Sequence, residues 1–144
     1  MTPTPPSPIA IIPARLGSER FPRKVLAAET GTPLIVHVCT AAAAASGIGR
    51  VVVAADDPEI TTAVESAGFE AVLTRSDHLN GTSRLAEAAA RLGLGDDVVV
   101  VNVQGDEPEI EPGVIDAALQ AIERSDAPVS TVATPFTSTD DPTN

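Results

Sequence analysis

Arg15, Arg20, Arg23 and Lys24 fall within ten consecutive positions and make up four of the nine Lys and Arg residues in a chain of formal net charge −11. An acidic protein that gathers its cations on one short segment aims them at a compact polyanion; the plainer alternative is a solvated basic loop. The same segment, Pro13–Lys24, contains Gly17 and Ser18, which permit close backbone approach to an anion. Arg15, Arg20 and Lys24 can supply charge-assisted hydrogen bonds to phosphate oxygens, the arginines as planar forks and the lysine as a mobile point charge. The loop is neither of the common phosphate-binding motifs. Gly17 and Lys24 are too widely spaced for G-x-x-x-x-G-K-[ST], no Ser or Thr follows Lys24, and there is no G-x-G-x-x-G.

Two further polar clusters stand out, Arg75-Ser76-Asp77-His78 and Gln104-Gly105-Asp106-Glu107. Each has a structural reading. Arg75 can pair with Asp77 on the surface, Gln104 can close a strand end, and Asp106 can fill a turn ahead of Pro108 and Pro112. His78 reads as a loop histidine, and His37, in an Ala- and Val-rich helical stretch, as structural.

The elements that would position these clusters follow from the apolar pattern. Continuous apolar runs mark strands at Ile9–Ile12, Arg50–Ala55, Glu70–Leu73 and Val98–Val103, with a further one expected at Val129–Thr134. Helical patterns lie between them. Thr32 with Pro33 opens the first, running to about Ala45, and Gly47 and Gly49 end it. Asp57 caps the second, through Ala67, before Gly68. The third spans about Thr82 to Leu92 after an Asn80-Gly81 turn, and Pro112 opens the fourth, ending near Ser125.

Strands without alternation, joined by crossover helices, predict a doubly wound α/β domain with a mostly parallel sheet and helices on both faces. In such sheets ligands bind at the carboxyl ends of the strands. The basic loop leaves the first strand at that edge, the Arg75 cluster the third and the Gln104 cluster the fourth. Their convergence is harder to explain by chance than any cluster alone.

Composition bounds the remaining possibilities. A chain of 144 residues buries roughly 70% of its unfolded surface, enough for a single core. With no Trp or Tyr and three Phe, it has little material for base-stacking platforms, and its net charge argues against a nucleic-acid partner. One cysteine, Cys39, excludes an internal disulfide and a cysteine-built zinc site. Residues 1–8 hold four prolines and no signal-peptide pattern, and read as a disordered or extended tail before the α/β domain of residues 9–144. No run of about 18 apolar residues occurs, so a soluble, cytoplasmic protein is expected, without membrane contact.

The segments IIPARLGSERFPRKVL, TRSDHLNGTSRLAEA and VVNVQGDEPEI, in this order and spacing, resemble the three N-terminal motifs of the 3-deoxy-manno-octulosonate (Kdo) cytidylyltransferases. The resemblance covers residues 9–140 and implies a nucleotide-diphospho-sugar transferase-like, Rossmann-like fold. It also implies that CTP and Kdo are joined to CMP-Kdo and pyrophosphate for lipopolysaccharide synthesis. In that family's terms Ala14, Arg15, Gly17, Ser18, Arg20 and Lys24 contact the nucleotide, with Arg15 and Lys24 on the triphosphate. Thr82 and Ser83 lie where cytosine and ribose are faced, Arg75 and Gln104 where the sugar acid is contacted, and Asp106 would ligate Mg2+. Arg15, Lys24 and Asp106 would thus be the catalytic set. Acylneuraminate cytidylyltransferases share the first motif only; a non-catalytic nucleotide-binding fragment is the alternative of another class.

Two positions depart from the family pattern: Arg23 stands where Gly is frequent, and Ser83 where an acidic residue is common. Family members are also considerably longer. The resemblance implies that the second metal-ligating aspartate, other sugar contacts and the homodimer-forming region lie beyond Asn144. The 144-residue chain is accordingly expected to be C-terminally incomplete and, alone, inactive or very weak.

Overall fold

Strands with no polar alternation must be covered on both faces, and that requirement shapes the observed architecture. The computed structural model of the chain describes residues 3–133. Its four strands are β1 (Ile9–Ala14), β2 (Arg50–Ala55), β3 (Glu70–Leu73) and β4 (Val100–Asn102). They form one parallel sheet in the order β3-β2-β1-β4. The helices are α1 (Leu34–Ala43), α2 (Pro58–Ser66), α3 (Gly81–Arg91) and α4 (Pro112–Glu123), and a 3-10 turn occupies Lys24–Leu26.

Successive residues of each strand enter opposite cores. Ala10, Ile12, Val51 and Val53 pack with Ile35 of α1, Ile60 and Val64 of α2, and Ile115 and Leu119 of α4. Ile9, Ile11, Val52 and Ala54 face Leu85 and Ala88 of α3 on the other side. Each fully buried Ile or Val contributes about 1.5–3 kcal/mol. Truncating a central one such as Ile12, which is fully buried, would cost about 2–5 kcal/mol.

Helix starts follow local chemistry. The Asp57 carboxylate accepts the Glu59 N–H at 2.8 Å, with Pro58 in the first turn, as its sequence predicts. Asn80 caps α3 by accepting the Ser83 N–H at 2.8 Å, so this helix begins at Gly81, one residue earlier than expected. The α1 cap differs: Pro33 has ψ 143° and is the residue preceding the helix, so Thr32 does not cap it.

Two strand expectations also need correction. β4 is shorter than Val98–Val103, although bonds from Ile9 N to Val99 O (3.0 Å) and from Val103 N to Ile11 O (3.3 Å) continue its pairing with β1 at either end. Residues 129–133 form no strand, and Thr134 lies outside the described residues. Val129 is 76% exposed, and Ser130 Oγ is tied instead to Ala118 O of α4 at 2.7 Å. Pro3–Pro8 carry neither helix nor strand. Among the described residues, no helix is long and apolar enough to cross a membrane.

The chain steps from β1 to β2 to β3 in one direction, then returns to place β4 on the other side of β1. The order therefore reverses between β1 and β4. That seam is where a doubly wound sheet opens a crevice at its carboxyl edge.

Candidate functional site

Gly105, just after β4, passes so close to β1 that a Cβ added to it would lie 2.7 Å from the Pro13 carbonyl oxygen. This contact brings the loop after β4 against the loop after β1. Between them lies a cavity of about 790 Å3. Pro13–Arg15, Ser18, Arg20 and Lys24 line it from the first loop, Gln104–Asp106 from the second, and Thr30 and His37 from the region leading into α1. Its volume falls in the range of small-molecule sites.

The cations of the basic loop are used unequally. Among the described residues neither Arg15 nor Arg20 makes an ion pair, and both are exposed. Lys24 Nζ stands 3.6 Å from Asp106 Oδ2. Arg23 is turned away, its guanidinium engaged by the Glu59 carboxylate of α2, which raises the arginine pKa and lowers that of Glu59. Arg23 also adopts a left-handed backbone, φ 58°, uncommon for any residue but glycine. The bend lets Arg23 N donate to Leu16 O at 3.2 Å, while Arg23 O accepts from Leu26 N at 3.0 Å to start the 3-10 turn that sets Lys24 at the cavity.

A second cavity, of about 260 Å3, adjoins the first. Pro13, Ala14, Arg15 and Gln104 line both; His78, Leu79, Asn80, Gly81 and Arg84 complete the second. Arg84 is 4% exposed, and its Nη1 donates to Thr74 Oγ1 at 2.8 Å and to Arg75 O at 3.0 Å. Among the described residues no carboxylate pairs with it. A buried guanidinium without a carboxylate carries a desolvation cost that an acceptor entering this cavity would offset.

His78 is more than a loop histidine. Its Nδ1 lies 3.0 Å from Ser83 Oγ and its Nε2 contacts the Glu87 carboxylate. Glu87 also accepts the Arg75 N–H, at 3.1 and 3.2 Å to its two oxygens, and Arg91 Nε at 2.7 Å. These donors, His78 first, hold its pKa at about 2. The network fastens the loop after β3 to α3, which places Asn80 and Gly81 beside Arg15.

The structure therefore gathers Ala14, Arg15, Ser18, Arg20, Lys24, Gln104 and Asp106 around one cavity. Gly17 shares the loop but lines neither cavity, and a Cβ there would meet nothing within 4 Å. Thr82 and Ser83 line neither; Ser83 is occupied by Asn80 and His78. Arg75 pairs with Asp77, which raises its pKa and lowers that of the aspartate, and it lines neither cavity. Gln104 makes the strand-end bond, Nε2 to Asn102 Oδ1 at 3.2 Å, and still borders both cavities. His37 bonds Thr30 Oγ1 through Nε2 at 2.8 Å. Arg84 went unread in the sequence. Its signal was an arginine four residues before Ala88, on the stripe that α3 buries.

A parallel doubly wound sheet with a cluster of exposed cations at its switch point is the frame of a nucleotide-binding α/β protein. Residues 9–144 match the Cytidylyltransferase family, and the chain belongs to that family. It is 48% identical over 136 residues to the 3-deoxy-manno-octulosonate cytidylyltransferase of Yersinia enterocolitica serotype O:8 / biotype 1B (strain NCTC 13174 / 8081), covering 94% of this chain and 54% of that protein. The corresponding protein of Yersinia pseudotuberculosis serotype O:1b (strain IP 31758) is 47% identical over the same shares. A solved structure of CMP:2-keto-3-deoxy-manno-octonic acid synthetase complexed with CTP superposes with a TM-score of 0.76 at 39% identity, over 82% of this chain and 48% of that one. A cytidylyltransferase from Leptospira borgpetersenii serovar Hardjo-bovis (strain JB197), at 18% identity and TM-score 0.66 over 83% and 50%, shares the fold. The chain spans about half the length of the relatives it matches.

Proposed function

We propose that the chain is the CTP-binding portion of a cytidylyltransferase that joins CTP and Kdo into CMP-Kdo and pyrophosphate, the activated sugar for lipopolysaccharide synthesis. The observation that carries this reading is the cavity at the β1–β4 seam, where among the described residues Arg15 and Arg20 make no ion pair and Lys24 faces Asp106. The relatives at 47–48% identity supply the sugar acid.

In this reading Arg15 and Lys24 hold the triphosphate, and Arg20 adds charge from the same loop. The anomeric hydroxyl of Kdo gives its proton to water as its oxygen attacks the α-phosphorus in line. The bond from the α-phosphorus to the oxygen bridging to the β-phosphate breaks, and pyrophosphate leaves with the charge that Arg15 and Lys24 neutralise. Gln104, which borders both cavities, contacts the sugar acid, and its Nε2 donates to Asn102 Oδ1. The residues bordering the smaller cavity, Asn80, Gly81 and Arg84, face the nucleoside more directly than Thr82 or Ser83.

Among the described residues no three His, Cys, Asp or Glu side chains group as a metal site. Glu19, Glu29 and Asp106 all line the larger cavity, and Asp106, facing Lys24 across the seam, nevertheless suits Mg2+, which binds through one or two carboxylates plus substrate phosphates and water. Asp106 would hold it; the ion, when bound, supplies charge neutralisation at the phosphate oxygens.

The test is pyrophosphate release from CTP with magnesium by the full protein that carries this sequence, using Kdo or an acylneuraminate as acceptor. Release with Kdo supports the assignment. Release with the acylneuraminate and none with Kdo overturns it.

A further inference from the structure

Arg15 is the cation that both cavities share, and one residue holds the backbone on either side of it. Asp56 follows β2, whose last residue, Ala55, lies in register with Ala14 at the end of β1. The Asp56 N–H donates to the Ala14 carbonyl at 3.2 Å, carrying the ladder one step past the sheet. Its carboxylate Oδ1 then accepts the Leu16 N–H at 2.9 Å. The two peptide groups that flank Arg15 are thus fixed to a single partner. Leu16 is anchored further by packing against the larger core.

A carboxylate beside a polyanion site repels the ligand, so its presence there calls for a compensating role. Asp56 borders neither cavity, and among the described residues its side chain makes no ion pair. We infer that Asp56 is a positioning residue: by bracketing Arg15 it holds that guanidinium at the junction of the two cavities, ready for an anionic ligand. The ligand side of this inference rests on the triphosphate reading above; the bracket itself does not. The neighbouring Arg23–Glu59 contact restrains the far end of the same loop and leaves Arg15 untouched.

The experiment compares Asp56→Ala, Asp56→Asn and Asp56→Glu, each with Arg15 intact and with Arg15→Ala. Amide exchange at Leu16 is followed without ligand, and CTP affinity with magnesium is measured by calorimetry. Asp56→Ala is expected to speed Leu16 exchange and weaken CTP on the order of tenfold, as loss of one charged acceptor implies. Asp56→Asn keeps an acceptor at the same place and should restore both readouts to within about threefold of the parent. Asp56→Glu displaces the acceptor at constant charge and should weaken CTP in the same direction as the alanine variant.

On the Arg15→Ala background, Asp56→Ala should change affinity by less than about twofold, because the coupling partner is gone. Unchanged Leu16 exchange in Asp56→Ala, or an undiminished penalty without Arg15, overturns the inference. Parent-like CTP binding by Arg15→Ala alone would instead remove the triphosphate reading, and Leu16 exchange would then decide the bracket.

Discussion

Lys24 Nζ stands 3.6 Å from Asp106 Oδ2, across the seam between the loop after β1 and the loop after β4. The side chains are 43% and 59% exposed, so the attraction contributes about 0–1 kcal/mol. A polyanion can therefore displace it at small cost. The contact poises a cation and a carboxylate on one cavity wall without locking either.

Lys24→Ala should weaken CTP binding by about tenfold or more, the value of a charge-assisted phosphate contact. Arg50→Ala is the control. That arginine opens β2 at the opposite edge of the sheet and pairs with Glu70 at 2.6 Å, so its loss should change affinity less than about twofold. Calorimetric titration of both variants reads the difference; equal losses would make the basic loop a solvated surface.

Gly105→Ala tests the close approach that forms the seam. The added Cβ would lie 2.7 Å from the Pro13 carbonyl, which belongs to a strand paired on both sides. Overpacking against such backbone should cost about 1–3 kcal/mol and lower Tm by several degrees. Gly17→Ala, with nothing within 4 Å, should stay within about 0.5 kcal/mol of the parent. Thermal melts that rank the two the other way would contradict this packing.

The acid limb of stability should carry the signature of Glu87. Its pKa falls from an ordinary 4.5 to about 2 on folding, chiefly through the His78 bond. A depressed carboxylate stabilises the fold above its unfolded pKa and loses that contribution as pH falls from about 4.5 toward 2. Glu87→Gln should therefore flatten the dependence of Tm on pH in this window. An acid slope matching the parent's would show that the network contributes nothing.

Cys39 is fully buried, and burial pushes its thiol up to about 12. A thiol-specific reagent at neutral pH should find it unreactive in the folded protein and stoichiometrically reactive in denaturant. Fast labelling of the native chain would mean that the α1 core opens readily.

The alternating fold was legible because unbroken apolar runs such as Ile9–Ile12 and Val51–Ala55 leave a strand no solvent face. Val129–Thr134 misled for the same reason: its composition suits a strand, but pairing requires a neighbour, and none holds residues 129–133 among the described residues. The convergence of Arg15, Lys24, Gln104 and Asp106 was readable from the rule for sheet edges. The division of labour among the cations was not. Glu59 lies 36 positions from Arg23, and only the fold shows that it removes one arginine from the cluster. The Arg75–Asp77 pair, two positions apart, is by contrast the surface pairing that the sequence offered, whereas the buried placement of Arg84 depends on which face α3 presents to β1 and β2.

CTP binding at the β1–β4 seam is the central claim. Amide shifts of the isotope-labelled chain, followed through a CTP titration with magnesium, locate it without requiring turnover. The largest changes are expected at Ala14–Lys24 and Gly105–Asp106, with smaller ones at Asn80–Arg84. Shifts concentrated instead around Ile48–Val51 and Gly68–Glu70, at the opposite edge of the sheet, would contradict it.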